Sequence, residues 1–86
     1  MQFEYQLYFT EQAKKNLARL PSFIYQRAVK ALEVIRKNPL AGKPLKGELE
    51  GIRSYRIGDY RILYQIESKK IIIIILTIGH RKEVYR

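Results

Sequence analysis

In the stretch SYRIGDYRILY, Ser54 to Tyr64, a Gly-Asp pair separates two runs in which apolar and polar residues alternate. Such a pair forms a two-residue β-hairpin turn, and a loop that short fixes the register of the strands it joins. With Gly58 and Asp59 at the turn, Ile57 pairs with Tyr60, Arg56 with Arg61, Tyr55 with Ile62 and Ser54 with Leu63. Paired residues share a face. One face therefore gathers Tyr55, Ile57, Tyr60, Ile62 and Tyr64, a core surface, while the other carries Arg56 beside Arg61. Like charges directly opposite one another weaken a sheet. The arginine pair needs a reason to exist.

The rest of the chain supplies the other layer. Phe3, Tyr5 and Leu7 alternate with Gln2, Glu4 and Gln6, the pattern of a half-buried first strand. Thr10 is placed to cap a helix carrying Ala13, Leu17 and Leu20, and Pro21 breaks it. A second helix, expected to be capped by Ser22, aligns Ile24, Ala28, Ala31, Leu32 and Ile35 on one stripe and stops at Asn38-Pro39. Pro39 to Gly51 reads as a connecting loop that carries Lys43 and Lys46. Strands are expected over Ile52–Ile57, Tyr60–Glu67 and Lys70–Ile78, with Ser68 and Lys69 in the second turn. The run Ile71–Ile78 is far shorter than the ~20 residues of a membrane-spanning helix and, being β-branched and free of polar breaks, reads as a strand buried on both faces. The expectation is a single α+β domain over residues 1–86, β-α-α-β-β-β, with a helical hairpin on a mainly antiparallel four-stranded sheet.

Seventeen Lys and Arg against eight Asp and Glu give a formal charge of +9, which favours phosphate-rich or acidic partners. The absence of cysteine excludes disulfides and thiolate metal sites and agrees with a reducing cytoplasm. The N-terminus lacks the basic and apolar segments of a signal peptide, so a cytoplasmic protein without membrane attachment is expected. One His beside few Ser and Thr gives no sign of a hydrolase triad, and neither a metal-ligand cluster nor a Gly-rich phosphate loop is present, so no metal or cofactor is expected. What remains is cationic and aromatic. The last strand runs into GHRKEVYR, Gly79 to Arg86, where Arg81 and Tyr85 lie four residues apart. That end is either a solvated basic tail or a clamp in which Arg81 binds a phosphate and Tyr85 stacks on a base.

Taken together, LKGELEGIRSYRIGDYRILYQIE and IGHRKEVY resemble the RelE/ParE superfamily of toxins from toxin–antitoxin modules, along essentially the whole chain. The resemblance implies a RelE-like fold and a cognate antitoxin as partner. For the RelE branch it implies metal-independent cleavage of mRNA in the ribosomal A site; for the ParE branch it implies poisoning of DNA gyrase. A non-catalytic RNA-binding module is a third possibility. By position, Arg61 resembles the family arginine that holds the scissile phosphate, Arg81 the one that protonates the leaving group or stabilises its charge, and Tyr85 the stacking tyrosine. Arg56 matches one of two basic strand residues. Ser54 stands where the pattern has the other.

Cleavage without a metal would use the RNA 2′-OH as nucleophile, which requires a base, cations on the phosphorane oxygens and a donor to the leaving oxygen. Arginine stays charged, so Arg56 suits charge stabilisation rather than proton acceptance. His80 is the better base by chemistry, since imidazole titrates near neutrality, although a strand-end role is equally open to it. Lys46 is a further candidate, and Lys82 and Arg86 extend the basic end as RNA contacts. On this reading an RNA phosphate or an antitoxin carboxylate sits between Arg56 and Arg61.

Overall fold

The computed structural model describes residues 4–84. Strand β1 (Gln6–Phe9) leads into helices α1 (Glu11–Arg19) and α2 (Ser22–Lys37); after a 3₁₀ turn over Pro39–Ala41 come β2 (Lys43–Pro44), β3 (Arg53–Ile57), β4 (Tyr60–Glu67), β5 (Ile72–His80) and the short α3 (Arg81–Val84). The sheet has five strands in the order β1-β5-β4-β3-β2, one more than expected. The extra strand is β2, a two-residue piece in the Pro/Gly-rich loop with no apolar alternation to announce it. All neighbours are antiparallel except β1 and β5, which the helical crossover makes parallel.

The hairpin register is the one the turn dictates, with Ile57 opposite Tyr60 and Arg56 opposite Arg61. Gly58 sits at φ 59°, the sign that the first central residue of a type II′ turn needs. Ile57, Ile62 and Tyr64 are buried with Ala28, Ala31, Leu32 and Ile35 of α2 and Ala13 of α1. Thr10 caps α1 as expected, its Oγ1 accepting the Ala13 N–H at 3.0 Å. The expected cap of α2 is corrected: Ser22 is the first helical residue, and Pro21 holds the extended N-cap position with no side-chain hydrogen bond. Its fixed φ suits that role, and its carbonyl accepts from Ile24 and Tyr25.

Two further expectations change at β5. The strand runs from Ile72 to His80 rather than from Lys70 to Ile78; its start shifts because the connecting loop takes four residues and ends with Ile71 at φ 55°. A β-branched residue there is strained, by roughly 1–3 kcal/mol. The isoleucine run is sealed on one face only: Ile73 and Ile75 are fully buried under the helices, whereas Ile72 and Ile74 are half-buried on the uncovered face. A bulge opposite Leu63 and Tyr64 then re-phases the strand, so that Ile75 and Ile78, three residues apart, both reach the core. Where β1 ends, side chains from the helical layer take over the edge of β5. Thr10 Oγ1 donates to the Leu76 carbonyl at 2.7 Å, and Asn16 Oδ1 accepts from Ile78 N–H at 3.0 Å and Thr77 Oγ1 at 2.9 Å. Among the described residues no helix is long and apolar enough to cross a membrane.

Candidate nucleic-acid interface

The uncovered face of the sheet holds a recess of about 300 Å³ lined by Lys43, Leu45, Ser54, Arg56 and Arg61. Three strands build it. Lys43 pairs with Ser54 across β2 and β3, and Arg56 pairs with Arg61 across β3 and β4. Ser54 is buried at its base and Arg56 is exposed at its rim.

The two guanidinium groups are held by the turn itself. Arg56 Nε and Arg61 Nη1 both donate to the Gly58 carbonyl, each at 3.1 Å, and Arg61 Nη1 also reaches the Tyr60 carbonyl at 3.1 Å. Two cations sharing one backbone oxygen are poorly compensated. The ion pairs among the described residues lie elsewhere, Lys14 with Glu11 and Arg36 with Glu4 and Glu33, and none joins Arg56 or Arg61 to a carboxylate. A cluster of donors in which Arg56 is exposed and Arg61 half-buried, with no carboxylate paired to either among the described residues, is an arrangement that a phosphate oxygen completes.

Arg81 arrives from the other side. Its N–H donates to the Asp59 carbonyl at 2.8 Å, which fastens the start of α3 to the hairpin turn. Four residues are too few for a self-supporting helix, so the tie to the turn and contact with the sheet hold it. Gly79, opposite Arg61, lets α3 fold back: a Cβ at Gly79 would stand 3.2 Å from Val84 Cγ1. The C-terminal turn therefore lies beside Arg61, and Lys82 is exposed on it.

The other expected site residues divide. His80 pairs with Tyr60, whose side chain belongs to the core face, and the two rings meet edge-on with centroids 5.7 Å apart. The imidazole is thus on the opposite face from Arg56 and Arg61, and its Nδ1 accepts the Lys82 N–H at 3.3 Å, acting as a cap for α3. Lys46 is exposed before the 3₁₀ turn Gly47–Leu49 and does not line the recess. Tyr85 and Arg86 lie outside the described residues. Lys43, not Lys46, lines the recess, and the signal that separates them is register on β2, where Lys43 pairs with Ser54. Among the described residues no group of three or more His, Asp or Glu is placed to hold a metal ion.

The helix-covered sheet with its basic open face fits the RelE/ParE resemblance of the sequence, and comparison with known proteins places the chain in that superfamily. Residues 7–85 match the family described as the ParE toxin of the type II toxin–antitoxin system, parDE. The Mycobacterium tuberculosis protein named Toxin RelG is 39% identical over 84 residues, covering 95% of this chain and 97% of that one. Toxin RelE of the same organism is 37% identical over 84 residues, covering 95% of this chain and 87% of its own length. A chain in the crystal structure of the toxin–antitoxin complex RelBE2 from M. tuberculosis matches at TM-score 0.83 and 38% identity, over 92% of this chain and 100% of that one. The chain belongs to the ParE toxin family of type II toxin–antitoxin modules, and it is a toxin of that class.

Proposed function

We propose that this toxin is a ribosome-dependent endoribonuclease that cleaves mRNA in the A site and is restrained by a cognate antitoxin. The observation that carries the reading is the recess itself: Lys43, Arg56 and Arg61 converge on the open face with no carboxylate partner among the described residues, beside the turn that anchors Arg81. Arg61, fixed by two backbone carbonyls, is the best positioned to hold the scissile phosphate. Arg56 and Lys43 flank it and stabilise the charge that gathers on the phosphorane oxygens when the 2′-OH attacks. Arg81 is assigned to the leaving 5′ oxygen and Tyr85 to a stacked base, in keeping with their place in the motif. Relatives named RelG and RelE favour this branch; the ParE description of the family keeps gyrase poisoning as the rival outcome.

Single-turnover cleavage of a message on programmed ribosomes tests it. Arg61→Ala is expected to lower the rate by about 10²-fold or more, the scale of losing one preorganised donor to a transition-state oxyanion, while far-UV circular dichroism stays unchanged. Induced cells that accumulate gyrase–DNA complexes and keep their ribosome-bound messages intact would overturn the nuclease reading.

A further inference from the structure

The recess has one weak wall. Strand β2 is two residues long, and the second is Pro44, which has no N–H to give to a ladder. Two register pairs, Lys43 with Ser54 and Pro44 with Arg53, do not by themselves hold a lysine in place. The segment just before β2 is held by other means.

Tyr64, on β4, is fully buried in the core cluster, and its hydroxyl meets the chain between α2 and β2. The hydroxyl donates to the Pro39 carbonyl at 2.6 Å and accepts the Gly42 N–H at 2.8 Å. Arg53 completes the grip: its Nε donates to the Gly42 carbonyl at 2.9 Å and its Nη2 to the Leu40 carbonyl at 3.3 Å. Both polar groups of the Gly42 backbone are thus taken by side chains. The contact is close enough to exclude any side chain there, since a Cβ on Gly42 would stand 2.5 Å from the Tyr64 hydroxyl and 2.8 Å from its ring. Lys43 is the next residue and lines the recess with Arg61.

We propose that Tyr64 is a positioning residue: through its hydroxyl, with Arg53, it clamps the Pro39–Gly42 backbone and so fixes Lys43 over the recess as a phosphate ligand. A phenol is suited to this because one oxygen can donate and accept at once while the ring stays in the core. Without the hydroxyl the ring still packs, but the loop loses its two bonds to β4 and keeps only the Arg53 bonds to the Gly42 and Leu40 carbonyls and, beyond β2, the Leu45 N–H bond to Ile52, so the backbone that carries Lys43 is held less firmly. The assignment of Lys43 to a phosphate rests on the nuclease reading above; the clamp does not.

Tyr64→Phe separates the two. Amide hydrogen exchange at Gly42 is expected to quicken by about tenfold or more while Leu45, bonded to the Ile52 carbonyl, and the β4 and β5 ladders keep their rates; unchanged exchange at Gly42 overturns the clamp. In single-turnover cleavage on ribosomes, Lys43→Ala is expected to cost about tenfold in the native background and less than twofold beside Tyr64→Phe, because an unplaced lysine has little left to lose. Gly42→Ala, whose Cβ clashes with the phenol and pushes the loop off it while Tyr64 itself is unmutated, is expected to remove the Lys43 effect in the same way. A purely structural tyrosine would lower the melting temperature and leave the Lys43 factor equal in both backgrounds, and that result overturns the positioning role. If the native protein does not cleave RNA at all, the nuclease reading fails and the exchange rates alone decide the clamp.

Discussion

At the scale of single residues, the site is defined by which side of a strand each charge occupies. Residues 79, 80 and 81 are consecutive, yet only Gly79 shares a face with Arg61; His80 pairs with Tyr60 on the other face, and Arg81 begins a helical turn tied to Asp59. Proximity in sequence says nothing about reaching one phosphate when the side-chain period is two. His80 combines the right chemistry for a base with the wrong side of the sheet. Its visible work is to accept the Lys82 N–H at the start of α3 and to meet the Tyr60 ring. His80→Gln keeps an acceptor for that N–H but cannot exchange protons near neutrality. Single-turnover cleavage by this variant is therefore expected to fall by well under the 10²-fold that loss of a general base costs. A loss of 10² or more would place the imidazole at the reacting centre.

At the scale of elements, short pieces depend on buried groups of longer ones. The β2 segment hangs on Tyr64, whose pKa burial raises above the ordinary tyrosine value, against the smaller lowering effect of its bond from Gly42. A tyrosine with a raised folded-state pKa gives stability that is complete below the unfolded value and is lost as pH rises from there through the folded value, because the unfolded chain gives up that proton first. Alkaline melting curves followed by circular dichroism should show the native protein losing stability above about pH 10 more steeply than Tyr64→Phe. Equal slopes would mean that the phenol is not held protonated by the fold. The same dependence explains what the sequence reveals and what it hides. The β3–β4 register is legible because Gly58-Asp59 fixes it, α1 because Thr10 marks its cap, and the buried face of α2 because of its Ala/Ile/Leu stripe, whereas the N-cap of α2 falls on Pro21 and not on Ser22. The β5 bulge is not, since a run of isoleucines has no period to shift. Lys43 is not either: its place on the recess comes from pairing with Ser54 on a two-residue strand that no apolar alternation marks, next to a glycine bonded to a tyrosine 22 residues away.

At the scale of the whole molecule, the question is how much of the +9 charge the nucleic acid meets. Helices α1 and α2 cover one face of the sheet and carry many of the lysines and arginines outward, whereas Lys43, Arg56 and Arg61 stand on the other face. Arg56 also borders a second groove of about 220 Å³, with Arg27 and Lys30 of α2, so the positive surface continues around the β3 edge. If the charge acted as a diffuse cloud, any cation would be as good as another. If the recess is the site, only its own cations displace counterions from the bound strand. Each phosphate neutralised on single-stranded nucleic acid contributes about −0.7 to the slope of log K against log salt. Fluorescence anisotropy of a short RNA over a range of KCl concentrations is therefore expected to show the slope shrinking by about 0.7 for Arg61→Gln and again for Arg56→Gln. Lys15→Gln, exposed on α1, should leave it unchanged. Equal reductions from all three would mean that RNA is held by net charge alone, and the recess would lose its claim to be the binding site.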